Sequence, residues 1–173
     1  MAVIGCGGAG KTTLANALGH RLGLPVVHID GHYWHDPAGT DGVESTYAEW
    51  RRIHDELIAG DRWVIDGMKL GALDARLAAA DTVVFLDLST SRCLWGVVER
   101  RLRHRRKARP EIGVYDVITV SFLRWIWSFR RRVRPRILEK LDECACDVVL
   151  LRNRRDVRAF VDSLERPDAS LAA

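Results

Sequence analysis

Lys11 and Thr12 carry the most specific chemistry in this chain, because of what precedes them. Gly5-Cys6-Gly7-Gly8-Ala9-Gly10-Lys11-Thr12 fits the pattern G-x-x-x-x-G-K-[ST], a loop built to hold phosphate. Its glycines let the backbone curl so that successive N–H groups point inward at phosphate oxygens. A helix starting at the lysine adds partial positive charge at the same point. Lys11 is then expected to reach the β- and γ-phosphates of a nucleotide, and the Thr12 hydroxyl to sit on Mg²⁺. Thr13, the next helical residue, belongs with Gly5, Gly7, Gly8, Ala9 and Gly10 to the predicted nucleotide-binding set. The motif needs a strand before it and a helix after it. Ala2-Val3-Ile4 supplies the first, and Leu14, Ala15, Leu18 and Leu22 give the second its three- and four-residue period.

The elements that must position these groups follow along the chain. The first helix is predicted over Lys11–Leu22 and stopped by Gly23 and Pro25. Val26–Ile29 reads as a buried strand ending at Asp30, and residues 31–45 as loop. Thr46–Ala59 has helical spacing, Trp63-Val64-Ile65 is a strand ending at Asp66-Gly67, and Leu70–Ala80 is a short helix or turn-rich connection. Thr82–Leu86 is a continuous apolar strand ending at Asp87, followed by a helix over Ser89–Arg103. A basic lid is expected over about 104–115, then one long helix over Tyr115–Leu141 with a kink at Pro135. A last strand, Val148–Leu151, a last helix, Arg155–Leu164, and a disordered tail over about 166–173 complete the pattern. Five short strands alternating with helices predict a single α/β domain with a mainly parallel sheet covered on both faces. Asp30, Asp66 and Asp87 all fall at strand ends, the edge where open parallel sheets bind ligands.

Composition sets limits. The chain has 173 residues, enough for one full core, and 29% of them are charged. The net charge of +4 hides an asymmetry: fourteen Lys/Arg against three acids give the segment from Arg92 to Arg136 a charge of +11, leaving −7 for the rest. That concentration implies a polyanionic partner: nucleotide phosphates, nucleic acid or an anionic surface. No apolar run reaches membrane-spanning length and no secretory signal is evident, so a cytoplasmic protein with no membrane partner is expected. The first strand begins almost at Met1, which suggests strand residues missing upstream. Cys6, Cys93, Cys144 and Cys146 lack zinc spacing and read as packing or incidental residues in a reducing compartment.

With these residues placed, the chain resembles the nucleoside-monophosphate-kinase-like branch of P-loop proteins, of which adenylate kinase is the best known. The resemblance rests on Gly5–Thr12, on Trp63-Val64-Ile65-Asp66-Gly67, and on Phe85-Leu86-Asp87 with its arginine-bearing helix and basic lid. More closely, it is similar to small bacterial proteins labelled topology modulation protein or adenylate-kinase-like ATPase. Their pattern is echoed by His28-Ile29-Asp30-Gly31-His32-Tyr33-Trp34, Leu94-Trp95, Phe122-Leu123-Arg124-Trp125-Ile126-Trp127 and Arg134-Pro135-Arg136. The resemblance implies a three-layer α/β/α sandwich, a sheet order of 2-3-1-4-5, a lid closing over ATP, and phosphoryl transfer or at least ATP binding. Two departures stand out. Gly96 occupies the position, nine residues after Asp87, where these kinases usually carry an arginine, and Met68-Lys69 replaces the Asn-Tyr often seen after Asp-Gly. Arg100 fits a second expected arginine.

Roles follow from position and pattern together. Asp66 is expected to hold waters of Mg²⁺, against the simpler reading of a turn-capping Asp before Gly67. Asp30 is expected to orient or deprotonate an acceptor hydroxyl. Lys11 and Arg100 join these two as the catalytic set, and Arg105 of the lid and Arg152 after the last strand join the ATP-binding set. Asp87 reads as satisfying backbone at its strand end. His28, His32 and His35 suggest loop solvation or substrate contact before metal. Phe122, Trp125 and Phe129 read as core before base-stacking platform. Two functions remain open: transfer of the ATP γ-phosphoryl group to a nucleotide or other small acceptor, and nucleic-acid-associated ATP binding without small-molecule kinase activity.

Overall fold

The computed structural model describes residues 1–30, 47–104 and 118–164. The expectations for residues 31–46, for most of the basic lid with Arg105, for His32 and His35, and for the tail lie outside the described residues.

The phosphate-loop strand is the buried centre of the sheet. β1 (Ala2–Gly5) lies between β3 (Val64–Asp66) and β4 (Thr82–Leu86), with β2 (Val26–His28) and β5 (Asp147–Leu151) at the edges. The order is β2-β3-β1-β4-β5 with every pairing parallel, as expected. Ala2, Val3, Ile4, Val64, Ile65, Val83, Val84 and Phe85 have no exposed surface, which is why these strands read as unbroken apolar runs. Helices cover both faces: α1 (Lys11–Leu22), α2 (Tyr47–Ile58), α3 (Leu73–Ala79, entered through a 3₁₀ turn at Leu70–Ala72), α4 (Thr90–His104), α5 (Val120–Arg132), α6 (Arg134–Glu143) and α7 (Arg154–Ser163).

Three local expectations change. The single long helix is two, broken at Val133. The Val133 N–H closes α5 on Phe129 O, and Pro135 opens α6 in its first turn, where no N–H is needed. Cys144 and Cys146 are not incidental: the turn before β5 holds their Cα atoms 5.4 Å apart and joins them as a disulfide. Cys6 and Cys93 are free and buried, in keeping with a packing role. Finally, Asp87 satisfies more than backbone. Arg134 Nε and Nη2 donate to its two carboxylate oxygens at 2.7 Å each, and Arg130 Nη1 lies 3.7 Å away. That bidentate pair ties α6 to the end of β4 and raises the Arg134 pKa through the hydrogen bonds Asp87 accepts.

Asp87 is buried, so removing its partner strands a charge. Arg134→Ala is expected to destabilise the protein by about 3 kcal/mol, with Arg130 limiting the loss. Urea unfolding checks this, and a change within about 0.5 kcal/mol, the range of ordinary surface substitutions, would show the pair to be structurally idle.

Candidate active site

The site is assembled where β1 gives way to α1. Gly10 adopts the left-handed conformation (φ 96°) at the helix start, and no side chain caps α1. No acidic residue lies in its first turn either, so the N-terminal N–H groups face outward toward any anion the loop receives. Lys11 Nζ donates to Cys6 O at 3.1 Å, folding the lysine back along the loop.

Thr12 and Asp66, 54 residues apart, meet at the mouth of this loop: Thr12 Oγ1 donates to Asp66 Oδ2 at 2.9 Å. Asp66 is buried, and His28 Nδ1 contacts its other oxygen, Oδ1. An ionised carboxylate only accepts, so His28 carries its proton on Nδ1. Sheet register makes this possible, because His28 lies directly opposite Asp66 in the β2–β3 pairing. His28 is therefore a strand residue partnered with Asp66, not a solvated loop residue.

A hydroxyl and a carboxylate in contact at a phosphate loop are the protein's usual share of a Mg²⁺ site, the remaining ligands being phosphates and water. Thr12 and Asp66 fit that role. Among the described residues no group of three or more His, Cys, Asp or Glu could hold a metal alone.

The remaining predicted residues are distributed as follows. Asp30 lies just beyond β2, half-buried, with Oδ1 3.5 Å from where a Cβ on Gly67 would stand. It thus shares the sheet edge with Asp66. Thr13 is exposed on α1, and Arg100 is half-buried on α4. Arg152 is exposed after β5, two strands from β1, and its backbone N–H donates to Asp156 Oδ2 at 2.9 Å. Arg131 and Arg132 are exposed on α5. Phe129 is core, whereas Phe122 and Trp125 are half-buried, stacked at 6.0 Å, and pressed on the loop. A Cβ on Gly7 would meet Phe122 Cζ at 2.7 Å.

Gly96 now has a physical explanation. A Cβ there would stand 2.1 Å from Gly8 O, and one on Gly8 would stand 2.1 Å from Cys93 O. The loop and α4 touch backbone to backbone, leaving no room for a side chain. Interaction with the buried Cys93 thiol, with burial, pushes the Cys6 thiol far above the ordinary thiol range. It is a packing group, not a nucleophile.

Sequence reasoning passed over Arg76 and gave His54 no role beyond the apolar side of its helix. Arg76, on α3, is fully buried and donates through Nη1 to Gly67 O at 3.2 Å. Burial pushes its pKa down to about 10, opposed by the charges of Asp66 and Asp30. The one signal was its spacing with Leu73 and Leu77, which puts an arginine on the buried face of a helix. His54, on α2, is also fully buried, and its pKa is lowered by burial and then by the Arg76 charge.

No family model matches the chain. An uncharacterized protein, YqaC of Bacillus subtilis (strain 168), is 27% identical over 171 residues, covering 92% of each chain. Among solved structures, the shikimate kinase from Acinetobacter baumannii in complex with shikimate matches with a TM-score of 0.56 at 16% identity, over 93% of this chain and 87% of that one. A sugar kinase from Janibacter sp. HTCC2649 matches with a TM-score of 0.54 at 16% identity, over 93% and 88%. At these identities the likeness is one of fold.

Two measurements probe the site's supports. Gly96→Ala is expected to lower both the melting temperature and nucleotide affinity, because the loop must move off α4; wild-type values for both would contradict the contact. A histidine held neutral in the fold stabilises it above the unfolded value of 6.5, and that contribution is lost as pH falls below 6.5. Stability measured from pH 7.5 to 5 should therefore decline less steeply in His54→Gln than in wild type; equal slopes would remove His54 from the account. The sheet order and the likeness to these structures show a kinase-like α/β fold, in which the chain carries the sequence pattern of a phosphate-binding loop between β1 and α1.

Proposed function

We propose that the protein is an ATP-dependent phosphotransferase that moves the γ-phosphoryl group of ATP to a small-molecule acceptor. The observation that carries this reading is the Thr12–Asp66 contact at the mouth of a loop whose helix N-terminus is left uncapped. The loop N–H groups and Lys11 hold the phosphates, and Arg100 adds positive charge from α4. Arg105 and Arg152 complete the ATP contacts from the lid and the end of β5. Thr12 and Asp66 would hold Mg²⁺, which would supply neutralisation of phosphate charge. His28 keeps Asp66 aimed by holding its second oxygen.

Asp30 takes the proton of the acceptor hydroxyl as that oxygen bonds to the γ-phosphorus. The bond from the γ-phosphorus to the β–γ bridging oxygen breaks, and ADP leaves. The acceptor then lies against the β2–β3 edge. The nucleotide chemistry suits the cytoplasm, and no helix among the described residues is long and apolar enough to cross a membrane.

Incubation with Mg-ATP and a panel of nucleosides, nucleoside monophosphates, sugars and hydroxy acids should reveal acceptor-stimulated ADP release. Lys11→Ala should lower it by about 10²–10³-fold, the usual loss for one transition-state donor. Asp30→Asn should lower kcat with little change in the KM for ATP. A silent panel would count against a kinase, and an unaltered Lys11→Ala rate would sink the phosphate-loop assignment itself.

A further inference from the structure

The geometry points to Arg76, assisted by His54, as an oxyanion site that receives a carboxylate or phosphate group of the acceptor. The inference rests on the phosphotransferase reading and names the acceptor's chemistry: a hydroxyl for the γ-phosphoryl group and an acidic head for Arg76.

A guanidinium has two useful faces. Its Nε and Nη2 hydrogens lie side by side and match the two oxygens of a carboxylate or phosphate. This protein uses that edge once already, where Arg134 Nε and Nη2 each hold an Asp87 oxygen at 2.7 Å. In Arg76 the same two atoms are buried and have no hydrogen-bond partner among the described residues. Its Nη1, meanwhile, is fixed to Gly67 O at 3.2 Å, so the empty edge is held in one orientation. Both ring nitrogens of His54 are likewise buried and unpaired. Its Nδ1 lies 3.7 Å from Asp55 Oδ1, beyond hydrogen-bond reach.

Buried donors without partners are rare in native folds, and an unpaired buried guanidinium edge is among the costlier kinds. The nearby carboxylates do not answer it. Both Asp66 oxygens are taken by Thr12 and His28. Gly67, whose O fixes Nη1, follows Asp66 directly, and a Cβ on it would stand 3.5 Å from Asp30 Oδ1, so the Arg76 guanidinium lies near the two acids proposed to hold Mg²⁺ and to activate the acceptor. A small molecule with an acidic head and a hydroxyl a few bonds away spans these points.

The test uses the full chain saturated with ADP, so that the phosphate loop is filled. Glycerol, glycerate and glycerol 3-phosphate are titrated in turn while the arginine Nε–H resonances are followed; the Arg76 signal is identified by its loss in Arg76→Lys. Glycerate or glycerol 3-phosphate should move that resonance and glycerol should not, and which of the two acts separates carboxylate from phosphate. A resonance that neither anion moves, or that glycerol moves equally, overturns the site. In a thermal-shift assay, Arg76→Met should weaken binding of the active anion at least tenfold with ADP affinity retained. Undiminished anion binding in that variant would also overturn the site. Should Arg76→Met fail to fold, the wild-type resonance still decides. No readout needs turnover, so anion binding without phosphoryl transfer would sink the kinase reading alone, and transfer with a silent Arg76 would sink this inference alone.

Discussion

The hydrogen bond from Thr12 to Asp66 is the constraint around which the rest of the chain is arranged. It joins the first turn of α1 to the end of β3, and it exists only if those strands are neighbours in correct register. A one-residue slip between β2 and β3 would turn His28 to the opposite face and release the second Asp66 oxygen. The apolar character of β1, β3 and β4 is thus part of the site, because complete burial on both faces is what fixes that register.

Close backbone packing is the second constraint. With Gly96 against Gly8, α4 seats on the loop more closely than any side chain allows. An arginine at this position, which the family resemblance led one to expect, would force the loop away, so its absence is a requirement of this packing. Positive charge reaches the same region by other routes. Lys11 stands on the loop itself, its Nζ on Cys6 O at 3.1 Å. Arg130 is also held by Leu88 O at 3.2 Å, which keeps it close to the end of β4.

What the sequence disclosed, and what it did not, divides along one physical line. The phosphate loop and the five strands follow from local patterns, a glycine run, short apolar runs and helical periods, whereas the strand order came from the family resemblance alone. His28, Arg76 and Arg134 were missed because their roles depend on partners 38, 9 and 47 residues away, chosen by register and helix packing. The break at Val133 was foreshadowed by Pro135, but a proline in a first turn starts a helix as readily as it kinks one. The Cys144–Cys146 bridge was missed because a reducing compartment was expected to keep all four thiols free, whereas the turn before β5 brings these two together.

The three strand-end acids show why position alone does not assign a role. All three lie at the ligand edge of the sheet, yet each meets a different neighbour. Asp66 faces a hydroxyl and an imidazole, so its charge remains available to a metal. Asp87 is covered on both oxygens by Arg134, and its charge is consumed in fastening α6. Asp30 is half-buried beside Gly67, within the field of Arg76. An acid at a strand end becomes structural or chemical according to whether the next element brings it a cation that fills both oxygens. On the β2–β3 half of the edge, the Arg76 guanidinium keeps Nε and Nη2 without a hydrogen-bond partner among the described residues.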